Sequence, residues 1–329
     1  MRAVVFKGKG GPEVIAVETV PDPVPARHEV LVRVRAAALN RADLLQRRGL
    51  YPPPPGVRSD VPGLELAGEV AALGEGVTGW RPGDRVMAIA SGEAQAELCV
   101  VHERMLLRVP ERLSLEEAGA LPEAGITSHD ALFTLGGLRP GMVVLVHAVG
   151  SGVATLALQL ARAAGATVIG TSRTAAKLDR ARALGLDHGI LVKEDPPRFA
   201  EEVRAITHGE GSPLLLELVG GSYLSEDLAA VAPGGRVVVI GTMAGPRAQL
   251  DLGLLLRARA SIHGTTLRQR PLEEKMRATI AFGRDVLPLV NAGRVRPIVE
   301  TVLPLEAARE AHERMERNES FGKVVLSTG

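Results

Sequence analysis

The chain has 329 residues, 46% of them hydrophobic and 23% charged, with 39 basic against 38 acidic side chains for a formal net charge of +1. That length suits two domains rather than one core, and 37 glycines and 22 prolines spread along the chain leave no low-complexity tail. Balanced charge argues against a nucleic-acid binder or a polybasic membrane protein, while the single cysteine, Cys99, rules out an intrachain disulfide and favours a reducing cytoplasm.

The opening MRAVVFKGKG reads as a strand without the apolar core of a signal peptide, and no apolar run reaches membrane-spanning length. From Met1 to about Val109, short apolar runs broken by turn residues predict an all-β, barrel-like domain: Val30 to Val34, Ala67 to Leu73, Asp84 to Ile89 and Leu98 to Val101. Between them Asn40 to Arg48 has helical character. Tyr51-Pro-Pro-Pro-Pro-Gly56 must be a stiff, extended loop, because proline fixes φ and donates no hydrogen bond, and a stiff loop suits a cleft wall.

From about Glu116 apolar strands alternate with helices, the signature of βαβ units and a parallel sheet. The predicted strands are Val143 to His147, Thr167 to Thr171, Gly189 to Val192, Leu214 to Leu218, Arg236 to Ile240 and Ser261 to Thr265, enough for a full dinucleotide-binding sheet. Beyond Pro271, helices at Leu272 to Asn291 and Glu306 to Arg317 precede a strand at Lys323 to Leu326, which needs a partner and is assigned back to the N-terminal barrel. The expected division is residues 1–118 with 268–329 in a substrate domain and residues 119–267 in a nucleotide-binding domain. No internal repeat is visible.

Val143 to Arg173 carries the strongest chemical signal: a buried strand, the turn Gly150-Ser151-Gly152-Val153, an apolar helix, and a second strand after Gly165. In such a unit the helix N-terminal amides bind a pyrophosphate, although a bare G-x-G can be only a packing turn. Cofactor choice is decided at the end of the second strand, where an acid would take the ribose 2′-hydroxyl of NAD. Here stand Ser172 and Arg173, with Lys177 one turn into the next helix, donors suited to a 2′-phosphate, so NADPH is expected. The plainer reading of Arg173 and Lys177 is a solvated helix start.

The chain resembles the medium-chain dehydrogenases/reductases, and within them the zinc-independent quinone oxidoreductases of the zeta-crystallin-like branch. The matching stretches are Ala37-Ala-Leu-Asn40-Arg-Ala-Asp43, Arg48-Gly49-Leu-Tyr51-Pro52, Pro62-Gly63-Leu-Glu65-Leu-Ala-Gly68-Glu-Val70, Gly79-Trp-Arg-Pro-Gly83-Asp84-Arg85-Val86, Leu121-Pro122 with Thr127, Leu218-Val219-Gly220-Gly221 and Phe321-Gly322-Lys323-Val-Val-Leu326. They run in order along essentially the whole chain. The resemblance implies an α/β architecture: a GroES-like β-barrel catalytic domain plus a Rossmann doubly wound parallel sheet. Zinc members place a cysteine where Asn40 stands, a histidine where Leu64 stands, and a four-cysteine lobe further on. None is present, and the eight histidines, His28, His102, His147 and His263 among them, are dispersed without ligand spacing and read as surface or core residues, so no metal is expected.

Without a metal the site must polarise its acceptor through hydrogen bonds to the oxygen that gains negative charge. The resemblance implies that Asn40 and Tyr51 do this, with Asn40 also near the nicotinamide ribose. A phenol with a pKa of about 10 is protonated at neutral pH and can donate. Asn40 can equally be a helix cap, Tyr51 a packing residue, and Asp43 reads as structural, bonding within its helix or to Arg47. The resemblance further implies cofactor contacts at Thr127, Gly241, Thr242, Met243, Leu267 and Lys323, and a cleft position for Arg268. Thr127 can also be an ordinary helix residue, and Lys323 a strand-surface one.

Two departures stand out: Ala154 replaces the usual last glycine of the turn, and Val192, followed by Lys193, replaces a tyrosine that commonly stacks near the adenosine 2′-phosphate. The expected activity is NADPH:quinone reduction acting on a small-molecule quinone or enone. The competing readings are an enoyl-thioester reductase, left open by Arg47, Arg48 and Arg58 near Tyr51, and a non-enzymatic binding protein. An uncovered Ser261 to Thr265 edge predicts a homodimer.

Overall fold

The computed structural model describes residues 1–329. The chain begins with an antiparallel ribbon of β1 (Arg2–Phe6) and β2 (Ile15–Thr19), then runs through β3 (Glu29–Ala38), helix α1 (Arg41–Arg47), β4 (Glu65–Leu73), β5 (Arg85–Ile89), β6 (Leu98–His102) and β7 (Leu106–Arg108). Two helices, α2 (Leu115–Gly119) and α3 (Pro122–His129), lead into a regular alternation. It comprises β8 (Val143–Val146), α4 (Gly152–Ala163), β9 (Thr167–Ser172), α5 (Ala175–Arg182), β10 (His188–Leu191), α6 (Ala200–Ile206), β11 (Ser212–Glu217), α7 (Tyr223–Ala230), β12 (Val231–Val239), α8 (Leu252–Ala258) and β13 (Ser261–Gly264). The chain closes with α9 (Leu272–Asn291), β14 (Val299–Pro304), α10 (Ala308–Glu316) and β15 (Lys323–Ser327).

Two compact units result, Met1–Ile126 with Leu267–Gly329, and Thr127–Thr266. The first crossing falls after Ile126 rather than at residue 118, because α2 packs on β3 so closely that a Cβ on Gly119 would lie 2.8 Å from the Ala36 carbonyl.

In the first unit seven strands form one sheet, ordered β14-β15-β3-β4-β5-β7 with β6 also paired to β3. The last strand does return to the barrel: β15 runs antiparallel to β3, with Val325 opposite Ala38 and Leu326 opposite Ala37. Its other edge is covered by β14, which lies parallel to it and which the sequence reading did not predict. Residues of β14 alternate between half-buried and exposed, so no apolar run marks it.

The second unit is a six-stranded parallel sheet in the order β10-β9-β8-β11-β12-β13. This is the doubly wound order, with the topological switch between β8 and β11, where dinucleotides bind in such sheets. Its strands are apolar because helices cover both faces; Leu145, Ile169, Ile190, Leu215 and Val237 share one core with Phe199 and Val203. No helix of the protein is long and apolar enough to cross a membrane.

Candidate active site and nucleotide site

The catalytic candidates gather where β3, β4 and β15 meet α1. Asn40 precedes α1, and its backbone N–H donates to Asp43 Oδ2 at 2.7 Å, while Asp43 Oδ1 accepts from Gly63 N at 3.1 Å. Gly63 has φ +114, and a Cβ there would sit 2.4 Å from Gln95 N, so only glycine permits this approach. Burial pushes the Asp43 carboxyl up to about 6, against the pull of these amides and of Arg268 and Lys323. Asp43 is thus structural and bonds within its own helix start, at the Asn40 cap, as expected, with Gly63 rather than Arg47 as its second partner. Arg47 is instead fully buried between Gly10 O, His312 and an ion pair with Glu316.

The Asn40 side chain is held on both sides. Its Oδ1 accepts from Lys323 Nζ at 2.6 Å, and its Nδ2 donates to Glu65 Oε1 at 3.0 Å and, more weakly, to Ala38 O at 3.3 Å. Lys323 Nζ also lies 2.7 Å from Glu65 Oε1, an ion pair whose side chains are 5% and 0% exposed. Glu65 Oε2 accepts from the backbone N–H of Glu123 at 2.9 Å. Burial, reinforced by the like charge of Glu65, pushes Glu123 up to about 8, so this carboxyl is mostly protonated at neutral pH. Lys323 was expected as a cofactor contact or as an ordinary strand-surface residue, and at 4% exposed it is not the latter. The structure makes it the cation of an Asn40–Lys323–Glu65 triangle in which Lys323 and Glu65 are buried and Asn40 half-buried, with two of the three ammonium protons engaged. Glu65 was not singled out by sequence, although an acid between Leu64 and Leu66 in an apolar strand is a signal that a buried cation must exist.

Tyr51 is half-buried at the head of its proline loop, and that loop is fastened by residues just after the second unit. Arg268 donates to Tyr51 O at 3.1 Å, Ser91 O at 2.8 Å and Gln46 Oε1 at 2.7 Å, and its guanidinium lies 5.3 Å from the Tyr51 ring centre. Gln269 adds a bond to Pro52 O at 3.0 Å. Leu267 is buried beside Arg268. The three arginines that left a carrier-phosphate reading open are each paired with an acid: Arg47 and Arg48 with Glu316, Arg58 with Asp60.

In the second unit Ser151 caps α4, its Oγ accepting from Ala154 N at 3.1 Å. The first amides of α4, those of Gly152 and Val153, have no carbonyl to reach and point out of the helix start after the Gly150 turn, the arrangement that holds a pyrophosphate. At the end of β9 Ser172 is buried with its Oγ on Thr174 N at 3.1 Å, Arg173 is exposed, and Lys177 follows half-buried on α5. Val192 is 3% exposed inside the core, so its side chain is taken up by packing and Lys193 offers the surface there. Gly241, Thr242 and Met243 follow β12 and lean on the loop after β11: Ala244 N donates to Val219 O at 2.7 Å, and Gly221 N to Gly245 O at 3.1 Å. Gly220, at φ +71, allows the contact, since a Cβ would meet Gly245 O at 2.8 Å. Thr127 is buried on α3.

These features match known proteins over the whole chain. The alcohol dehydrogenase GroES-like domain family matches residues 26–136, and the zinc-binding dehydrogenase family matches residues 152–283. A quinone oxidoreductase from Pseudomonas aeruginosa is 33% identical across 99% of each chain. The synaptic vesicle membrane protein VAT-1 homolog of Rattus norvegicus is 34% identical across 100% of this chain and 84% of its own. Among solved structures, the Escherichia coli quinone oxidoreductase complexed with NADPH superposes with a TM-score of 0.90 at 27% identity, covering 99% of this chain and 100% of that one. The CurK enoyl reductase does so with a TM-score of 0.87 at 26% identity, covering 99% and 98%. The quinone oxidoreductases among its relatives and solved neighbours make the chain an oxidoreductase. The chain belongs to the medium-chain dehydrogenase/reductase family.

Proposed function

We propose that this oxidoreductase reduces quinones, or related conjugated carbonyl compounds, with NADPH and without a metal. The observation that carries the reading is the Asn40–Lys323–Glu65 triangle: it puts an ammonium and an amide where the zinc members of the family place a metal ligand. An amide oxygen already bonded to Lys323 and the alkyl chain of Leu64 offer no zinc ligand set.

The reduced nicotinamide, when bound, supplies the hydride. The Gly150 turn and the α4 amides take the pyrophosphate, and Ser172, Arg173 and Lys177 take the 2′-phosphate through charge-assisted bonds. Val192, Gly241, Thr242, Met243, Thr127 and Leu267 line or support the remainder. Toward a ribose hydroxyl Asn40 can act only as an acceptor through Oδ1, because both of its amide hydrogens are already used on Glu65 and Ala38. Tyr51 donates to the acceptor oxygen as it gains charge, held in place through the grip of Arg268 on its carbonyl.

Arg173→Ala and Lys177→Ala are each expected to weaken NADPH binding by roughly 1 to 3 kcal/mol while sparing NADH. Titration of both nucleotides against the unmutated protein checks the premise, and equal affinities would refute it. For the reaction itself, NADPH consumption is measured with a panel of quinones, enones and enoyl thioesters. Quinones are expected to turn over fastest. Fastest turnover of a thioester would promote the enoyl reductase reading, which the structural likeness to CurK supports but which the pairing of Arg47, Arg48 and Arg58 with acids disfavours.

A homodimer is part of the same reading. The edge strand β13 leaves one side unpaired, and the helix before it exposes Leu252 and Leu256, at 62% and 75%. Sedimentation at micromolar concentration is expected to give the mass of two chains, and Leu252→Glu with Leu256→Glu that of one. A monomeric parent protein contradicts this.

A further inference from the structure

A polar cluster lies under the C-terminal ends of the parallel strands, and the proposed hydride transfer makes no use of it. His147, the residue after β8, bonds through Nδ1 to Thr171 Oγ1 of β9 at 2.8 Å and through Nε2 to Asp227 Oδ1 of α7 at 2.7 Å. Glu217, the last residue of β11, brings Oε2 to 3.9 Å from the same Nε2. All four side chains are buried, with the rings of Phe199 and Tyr223 centred 4.9 and 5.2 Å from the imidazole. Glu217 Oε1 accepts from Val219 N, and from Gly220 N at 2.8 Å. Two oxygens are left over: Glu217 Oε2 and Asp227 Oδ2 are buried and have no donor.

Two ionised carboxylates side by side in this surrounding would bear both the desolvation cost and mutual repulsion. One proton between the two orphaned oxygens cures both faults. Glu217, whose other oxygen is occupied by amides, donates to Asp227, and Asp227 accepts from Glu217 and from His147 Nε2–H. The Thr171 hydroxyl then donates to His147 Nδ1, and each atom has a partner of the right kind.

The segments joined by this cluster are those assigned to the nucleotide. His147 runs into Ala148, at φ 51, and the Gly150 turn; Thr171 runs into Ser172 and Arg173; Glu217 holds the Val219–Gly220 backbone, which in turn bonds the loop of Thr242 to Gly245. We infer that Glu217 and Asp227 hold one proton between them, and that this pair, with His147, is a positioning network that sets the strand ends for NADPH. The positioning role rests on the nucleotide assignment made above. Burial raises both Glu217 and Asp227 and lowers His147, the directions expected of a neutral imidazole beside an acid pair that keeps a proton near neutral pH. Other ionisable groups bearing on it are Tyr223 and Glu226 of α7, Arg173 after β9 and Asp195 after β10; Glu226 is committed to Phe199 N and Ala200 N. Because the folded acid pair binds a proton that the unfolded chain has lost, its contribution to stability falls as pH rises from the ordinary carboxylate range toward 8, and nucleotide binding falls above that.

The test is NADPH affinity by fluorescence titration between about pH 6.5 and 9.5 for the wild type, Glu217→Gln and Glu217→Leu, with thermal melting alongside. The wild type should lose about tenfold in affinity on the alkaline side. Glu217→Gln carries a permanent donor toward Asp227, so it should match the wild type at neutral pH and keep that affinity at high pH, whereas Glu217→Leu should bind weakly throughout. The infrared difference between wild type and Glu217→Gln should show a buried carboxylic-acid carbonyl band at neutral pH, the contribution of the protonated Glu123 being common to both and cancelling. The same alkaline loss in wild type and Glu217→Gln, the lack of an acid band in their infrared difference, or a divalent cation bound stoichiometrically by the wild type and lost in Glu217→Gln would each overturn the inference. If no NADPH binds at any pH the proposed function fails, while the infrared band and the melting profile still decide the proton.

Discussion

Lys323→Met is expected to destabilise the protein by about 3 to 5 kcal/mol and to remove most of its turnover, because it strips the cation from a carboxylate that has nowhere else to turn. Glu65 is 0% exposed, and its Oε1 is shared by Lys323 and Asn40. Its other oxygen is already on the Glu123 amide. Loss of the ammonium leaves a buried charge, and Asn40 loses the donor that fixes its Oδ1. The double variant Lys323→Met, Glu65→Leu separates stability from chemistry. Replacing a buried ion pair by apolar groups of similar volume is often close to neutral for folding, so the denaturation midpoint should return toward that of the wild type. Turnover should not return, since Asn40 would remain unheld. Recovery of both would show that the triangle serves only the fold.

The strongly periodic parts of the fold were legible in the sequence. The predicted limits of α9 are those observed, and the parallel strands of the nucleotide unit each fall within a few residues of their predicted places, because buried β strands and amphipathic helices imprint their period on the chain. The sheet edge was not: β14 carries Glu300, Thr301 and Pro304 among its residues and lacks a continuous apolar face. The site was legible one residue at a time. Asn40 was visible as a helix-start asparagine and Lys323 as the first residue of a strand, but 283 positions separate them, and only the β15–β3 register puts the ammonium on the amide. His147 read as a surface or core histidine, and core it is, yet its acid partner Asp227 lies 80 residues away and Glu217 closes an apolar strand. In both clusters the missing information is long-range pairing, whose one local trace is an acid set among aliphatic residues.

Tyr51→Phe is expected to lower turnover by about a hundredfold or more if the phenol is the dedicated donor, with NADPH affinity nearly unchanged. The reasoning turns on when the bond matters. A hydrogen bond to an oxygen that carries charge only during hydride transfer contributes mainly to the transition state, so its loss appears in kcat and not in nucleotide binding. The loop should stay in place in this variant, since Arg268 grips the Tyr51 carbonyl rather than the hydroxyl. Asn40→Ala should behave differently. Its amide ties Lys323 and Glu65 together and is assigned to the ribose, so removal should weaken NADPH binding, reduce turnover and lower stability at once. Measuring kcat, KM and NADPH affinity for both variants, with a quinone and with an enoyl thioester, resolves the roles. In an open quinone site water can replace a lost donor, so a small loss with quinones beside a large loss with thioesters would assign Tyr51 to proton delivery at carbon and make the enoyl reductase reading the better one. If Tyr51→Phe changes neither reaction and Asn40→Ala changes stability alone, the catalytic group must be sought elsewhere on the barrel unit, and Lys323, with one proton uncommitted, is the donor to test next.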